Sequence, residues 1–482
     1  MLKKLTRANV TSKVQRPVKV LQFGDGNFLR GFADWVIDIM NEKVDFNGNV
    51  KVIRPLRKGS SKKEDTQGGL YHVALMGLQN GKMISDTRMI TCVSGFIDPY
   101  ENKDDFLAAA DNPYLKIVIS NTTESGITFN SNDGNPDRMP ESFPAKVALL
   151  LYHRFKTFDG DPAKGLIFLP CELIEKNGET LRSFVLQYSG LWKLPTEFAR
   201  WVNECNTFCN TLVDRIVPGF PKDNIHEIQG STGYEDNQVV VAEPFHFWAI
   251  EGSEEARTFF PVDKTELSVK FVKDLSPYRT RKVRILNGAH TALTPVAYLR
   301  GLRTVKESVG DSYCGSFLRM AIFEEIIPTL DSPEAELNQF ANDVLERFQN
   351  PFIKHELSSI ALNSISKYKV RVLPSVLEYV KRKGTLPERL IFSLACLIQS
   401  YKGDVKGTST PVNDSEDIVE FFKKIWESRD LRSVVEGTLS NASFWDQDLT
   451  KVPGLTSRLI FFLERLADED VAEVLKGKEQ EI

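Results

Sequence analysis

Cysteine is scarce, with six residues in a chain of 482, and they form neither a C-x-x-C pair nor a repeated spacing. That excludes a disulfide framework. Cys205 and Cys209 could share one helix face, but two thiols without a nearby histidine or third cysteine read as core residues rather than metal ligands. Reduced thiols fit a cytoplasmic setting. Neither charge dominates: 61 Lys and Arg against 65 Asp and Glu leave a net charge of −4, which argues against a general nucleic-acid surface. Long apolar runs are missing too. The stretch 148–152 is too short to span a bilayer, and the opening Met-Leu-Lys-Lys-Leu-Thr-Arg lacks an apolar signal core. No internal repeat or low-complexity tail is visible. The remainder is an ordinary globular composition, 41% hydrophobic with only 23 Pro and 30 Gly, in a chain long enough for two domains. The expected partner is a small molecule, with no nucleic acid and no membrane. Oligomeric state is left open, a monomer being compatible.

What is present begins near the N-terminus. Residues 18–23 read as a short buried strand ending in Gly24-Asp25-Gly26. An amphipathic helix is expected over 28–40, with Phe28, Phe32, Trp35, Val36, Ile39 and Met40 at helical spacing. Strand, glycine turn and helix make the first unit of a dinucleotide-binding fold, in which glycines allow close phosphate approach and the helix start supplies N–H donors. The third glycine of G-x-G-x-x-G is absent, since Leu29 stands there. Further strands are expected at 50–53, 117–120 and 166–169, and a helix at 145–155. This alternation indicates a largely parallel layered sheet. The long polar loop 130–141 is either functional or a solvated insertion.

The pattern changes around 264–274 and is almost wholly helical after Lys282. One helix is expected from Ser332 as N-cap and Pro333 at its first position, with Leu337, Phe340, Ala341, Val344, Leu345 and Phe348 inward. A second stripe is Ile418, Phe421, Phe422 and Ile425. The expected organisation is an α/β Rossmann-like domain over 1–272 and a mostly α-helical domain over 273–482, with the active site between them.

The segment Arg281 to His290 reads Arg-Lys-Val-Arg-Ile-Leu-Asn-Gly-Ala-His, a Lys-x4-Asn-x2-His array of Lys282, Asn287 and His290. On an α-helix at about 100° per residue, His290 lies about 80° and Asn287 about 140° round from Lys282. All three could reach one cavity while Ile285 and Leu286 pack elsewhere. A proton donor, an amide for a carbonyl oxygen and an imidazole to hold the lysine suit proton transfer at a carbinol oxygen. An amphipathic helix that carries these residues by chance is the alternative.

Taken together, these blocks resemble the mannitol dehydrogenase family, the polyol-specific long-chain dehydrogenases and reductases. The resemblance rests on Phe-Gly-Asp-Gly-Asn-Phe-Leu-Arg from Phe23 to Arg30 and on the array at Lys282. Matching blocks continue along nearly the whole chain: Ile119 to Ile127, Pro170 to Gly178, Glu243 to Trp248, Asn350 to His355 and Lys367 to Arg371. Within the family, Ser142 to Lys146, Leu169 to Glu172 and Ile360 to Lys367 look most like the branch that reduces keto-hexuronates to aldonates.

The resemblance implies an NAD-dependent oxidoreductase in which Lys282 exchanges the proton without a metal. A free lysine ionises at about 10.4; burial and a helix N-terminus would both favour its neutral form. Asn287 would donate to the substrate oxygen, and His290 would bond the lysine or an adjacent hydroxyl. Cofactor contacts are implied for Phe23, Gly24, Asp25, Gly26, Asn27, Phe28, Arg30, Asn121 and Thr122. Leu173 stands where other members carry a second oxygen-binding Asn, so Glu172 or Asn177 is the expected replacement. Arg371, with Lys367 and His355, would bind the substrate carboxylate, for which a planar guanidinium is suited. Glu243 could anchor the domain junction. No acid follows the second strand; Arg54, Arg57 and Lys58 do, and read alone they favour NADP, whereas the resemblance implies NAD. A different hexuronate, a neutral polyol, and a non-catalytic dinucleotide-responsive protein are the alternatives.

Overall fold

Strand β1, Val18–Phe23, is buried along its last four residues, and its alternate side chains enter two different cores. Val20 joins one, while Leu21 and Phe23 join the other. A strand covered on both faces belongs in a parallel sheet. In the computed structural model, β2 (Asn49–Ile53), β3 (Val93–Ile97), β4 (Ile117–Ser120), β5 (Ile167–Pro170) and β6 (Thr207–Phe208) complete that sheet in the order β3-β2-β1-β4-β5-β6. Every pairing is parallel. This is the doubly wound order, with its reversal between β1 and β4. The expected strand at 117–120 is met, and those at 50–53 and 166–169 are met within one residue.

The structure describes residues 2–10, 15–54, 65–123, 125–428 and 430–475. It divides into one compact unit of Met1–Gly77 with Met83–Leu275 and another of Leu78–Lys82 with Ser276–Ile482. Arg57 and Lys58 lie outside the described residues. Among the described residues no helix is long and apolar enough to cross a membrane.

The single helix expected over 28–40 is two helices, α1 (Asn27–Gly31) and α2 (Ala33–Lys43). The break sits at Phe32, with φ −130° and ψ −75°. Its cause lies far along the chain. A Cβ on Gly31 would stand 2.8 Å from Val217 Cγ1 and 3.1 Å from Val240 Cγ1, so α1 is pressed against a distant segment and the chain turns there. The carbonyls freed by the break are taken by side chains: Arg215 Nη1 donates to Gly31 O at 2.9 Å and Tyr71 OH to Arg30 O at 3.2 Å. Phe32 stays fully buried, its ring 5.0 Å from Phe28 and 5.1 Å from Trp248.

Helix α3, Phe143–Thr157, starts at Ser142, whose hydroxyl caps Ala145 N, with Pro144 in the first turn. The loop before it is packed. Asp133 accepts from Glu141 N and Ser142 N at 2.7 and 2.9 Å, and Tyr188 OH accepts from Asn130 N at 2.7 Å. Tyr188 comes from α4, Asn177–Leu191. Two smaller three-stranded sheets were not legible in the pattern: one includes the hairpin Tyr71–Gln79 and Lys82–Ile90, the other is Asn210–Asp214, Phe247–Glu251 and Val269–Val272.

In the second unit, α5 (Ser276–Arg281) runs directly into a π-helical turn, Lys282–Asn287, and then into α6 (Gly288–Leu299). Helix α7, Glu334–Phe348, buries the expected stripe Leu337, Phe340, Ala341, Val344, Leu345 and Phe348, but starts one residue later than expected, with Pro333 as its cap. After α8 (Ser364–Arg371), α9 (Glu388–Ser400), buried from Leu390 to Gln399, packs on α6, where Ser393 Oγ donates to Ala292 O at 2.7 Å. Helices α10 (Glu416–Ile425) and α11 (Leu455–Asp468) complete this description.

Gly31→Ala should lower stability by about 1–3 kcal/mol through overpacking, read as a fall in the urea midpoint. An unchanged midpoint would show that the α1–α2 break does not depend on contact with Val217 and Val240.

Candidate functional site

The turn after β1 is held from beneath. Gly24 donates to Ile53 O at 3.0 Å and accepts from Gln22 Nε2 at 3.1 Å. Its φ of +119° and the Asn121 carbonyl 3.0 Å from where a Cβ would stand leave room for glycine only. Asp25, Gly26 and Asn27 are exposed, and among the described residues a Cβ on Gly26 would meet nothing within 4 Å. This open main chain at the start of α1, beside the reversal of strand order, fits a pyrophosphate.

The expected cofactor residues separate into two groups. Gly24, Asp25, Gly26, Asn27, Asn121 and Thr122 gather at the C-terminal edge of β1 and β4. Phe28 is half-buried against Phe32. Phe23 and Arg30 face the protein instead. The Phe23 ring packs on Phe143 at 5.0 Å and Phe106 at 6.3 Å. The Arg30 guanidinium lies 4.2 Å over Tyr71 and donates to Gln238 O. Both support the loop from below.

Glu172 and Asn177, the expected substitutes for a second oxygen-binding amide, have other occupations. Glu172 is buried and accepts from Ser120 Oγ at 3.0 Å and from Thr122 N and Oγ1 at 2.9 Å each. It ties the ends of β4 and β5 together, and burial pushes its carboxyl above the usual carboxylate range against the pull of those donors. Asn177 is fully buried. Its Nδ2 donates to Pro170 O, Glu172 O and Thr211 O at 3.0, 3.0 and 3.1 Å, and its Oδ1 accepts from Gly178 N and Thr211 N. No capacity is left for a substrate. Leu173 is 56% exposed.

Lys282 and Asn287 are the first and last residues of the π-helical turn, which corrects the α-helical spacing assumed from sequence. An i→i+5 turn is wider than an α turn, so Asn287 returns toward the face of Lys282 instead of standing about 140° away. Lys282 is also not at a helix start: the helix begins at Ser276, and the dipole acts mainly within the first turn. Ile285 and Leu286 are buried as expected. Immediately after the turn, a Cβ on Gly288 would stand 3.0 Å from Arg371 O, so the end of α8 lies against the start of α6.

His290 is buried, its ring stacked on Phe348 at 3.9 Å and 15° and set edge-on to His355 at 4.9 Å. Among the described residues its Nε2 has no hydrogen-bond partner. Burial, then the charges of His355, Arg347 and Arg371, push its pKa well below the ordinary value, so the ring is neutral. Burial and Lys367 lower His355 as well. Lys367 Nζ donates to Ile360 O at 2.9 Å, and burial and Arg371 lower its pKa. His290, His355, Lys367 and Arg371 therefore form one basic cluster beside the Lys282–Asn287 turn. Arg347 and Phe348 were missed as members. The helical period marked Phe348 only as core; the adjoining Asn350 block was the available signal. Among the described residues no group of three or more His, Cys, Asp or Glu could hold a metal ion.

Two family models match this chain: the mannitol dehydrogenase Rossmann domain over residues 18–261 and the mannitol dehydrogenase C-terminal domain over 274–467. The chain is 44% identical to the altronate oxidoreductase of Bacteroides thetaiotaomicron over 467 residues, covering 96% of this chain and 98% of that one. It is 44% identical to the altronate oxidoreductase of Bacillus subtilis over 98% of each chain. Among solved structures it resembles a D-sorbitol dehydrogenase in substrate-free form, with TM-score 0.82 and 23% identity over 98% of this chain and 100% of that chain. It also resembles the Pseudomonas fluorescens mannitol 2-dehydrogenase in its ternary complex with NAD and D-mannitol, with TM-score 0.70 and 21% identity over 99% and 100%.

Asn177→Ala should cost about 2–4 kcal/mol, since it strands buried main-chain groups, while the Michaelis constant of the folded enzyme stays unchanged. Normal stability with a raised Michaelis constant would return Asn177 to the substrate.

Proposed function

The chain belongs to the mannitol dehydrogenase family, and from that premise we propose that it is an NAD-dependent tagaturonate reductase (altronate oxidoreductase). The observation that carries the substrate class is the cation pair Lys367 and Arg371, whose helix lies against the turn bearing Lys282 and Asn287. Such a pair suits a carboxylate, which a neutral polyol lacks. The relatives named altronate oxidoreductase, alike over nearly the full length, support the same branch.

The open turn at Gly24 to Asn27 fits the dinucleotide, and NADH when bound supplies the hydride. Lys282 gives its ammonium proton to the ketone oxygen as that oxygen gains charge, and in the reverse direction takes it from the alcohol. Asn287 donates through its side-chain amide to the same oxygen, stabilising charge as it develops. His290, neutral and with an unpartnered Nε2, orients the lysine or a neighbouring hydroxyl without adding a charge. Arg371 fixes the far end of the substrate by pairing with its carboxylate.

The deciding assay is NADH oxidation with tagaturonate, fructuronate and fructose in parallel. Tagaturonate should be the best substrate. Fructuronate as the best would move the enzyme to the neighbouring branch; fructose as the best would overturn the uronate assignment. Lys282→Met should lower turnover in both directions by roughly 10²–10⁴-fold or more with dinucleotide binding retained, and near-normal turnover would refute the mechanism. Arg371→Ala should raise the Michaelis constant far more for the uronate than for an uncharged ketose; equal losses on both would make Arg371 structural.

A further inference from the structure

We propose that Asp25 supplies the acidic group that the second strand lacks, and that by pairing with Arg54 it makes the site accept a ribose 2′-hydroxyl and reject a 2′-phosphate. This rests on the NAD reading above.

The residue after β2 of a doubly wound sheet normally addresses the adenosine ribose, an acid bonding the hydroxyl and an arginine accommodating the phosphate. Arg54 holds that position. Its main chain is fixed, with Arg54 N donating to Ile97 O at 2.9 Å. β1 and β2 are neighbours in register, Phe23 facing Ile53, so the glycine turn and Arg54 lie on one edge of the sheet.

The guanidinium is engaged on two sides. It lies 4.6 Å over the Phe96 ring, and its Nε donates to Asp25 Oδ2 at 3.2 Å. The two side chains retain 27% and 48% of their exposure, so the pair adds little to stability. Its consequence is local charge. A 2′-phosphate carries nearly two negative charges and would meet the Asp25 carboxylate beside the arginine that should receive it. A free hydroxyl would find in that carboxylate the acceptor that an acid after β2 usually provides.

The test needs no ketose. NADH and NADPH are titrated separately into wild type, Asp25→Asn and the double variant Asp25→Asn/Arg54→Ala, following nicotinamide fluorescence. Wild type should bind NADH more tightly. Asp25→Asn should shift the NADPH:NADH affinity ratio toward NADPH by about tenfold or more, the scale of removing one charge a few ångströms from the phosphate, and the double variant should lose that gain. An unchanged ratio in Asp25→Asn, or equal loosening of both dinucleotides, would overturn the proposal. So would a wild type that prefers NADPH. A wild type binding neither dinucleotide would instead fail the cofactor reading itself, and this inference with it.

Discussion

The arrangement of the second unit depends on one close approach, the Arg371 carbonyl standing 3.0 Å from the place where a Gly288 Cβ would be. A side chain at 288 would require the end of α8 to give by a few tenths of an ångström. The contact falls where the helix changes from π to α, so two backbone features coincide. The wide turn returns Asn287 toward Lys282, and the missing side chain admits the end of α8 beside them. A π turn is rare and recurs at functional sites; here it carries Lys282 and Asn287 as its first and last residues.

Electrostatics in this cluster favour charge at its edge and neutrality at its centre. His290 is enclosed by Phe348 and His355, with Arg347 and Arg371 acting on it, and burial outweighs every other influence. A protonated imidazole would add a like charge in a poorly solvated place, so the ring stays an uncharged donor and acceptor.

The parts of the fold legible in sequence were those set by local period. β1 and β4 matched their apolar runs, and α7 matched its stripe, because two-sided strand burial and one-sided helix burial leave direct traces in residue order. The α1–α2 break did not, since it is imposed by Val217 and Val240, nearly two hundred residues away. The π turn was equally hidden: helical periodicity suggested Lys282, Asn287 and His290 as a set but assumed the wrong pitch. Glu172 and Asn177 looked like site residues because of their types and their block. Only the hydrogen-bond accounts reveal that strand ends and a helix start consume them. The short strands 210–214, 247–251 and 269–272 are too brief to announce partners so distant in sequence.

Placing two cations four residues apart on the eight-residue α8 raises a question of balance. Like charges at that spacing cost about 0.2–0.5 kcal/mol, whereas basic groups in the last turn gain about 0.3–1 kcal/mol from the helix dipole. Arg371 is the final helical residue, so the dipole offsets the repulsion. The other end needs help, because Asn363 begins the helix from a left-handed conformation without a side-chain cap. Asp414 gives it from outside: its Oδ2 accepts from Ile365 N at 3.3 Å and from Tyr401 OH at 2.5 Å. The same carboxylate acts on Lys367, opposing the effect of burial and of Arg371. One acid thus secures the start of the helix and moderates the nearer cation. Arg371, a turn further on, lies at the end of α8 that meets Gly288. On the function proposed above, Arg371 pairs with the substrate carboxylate and Lys367 supports it.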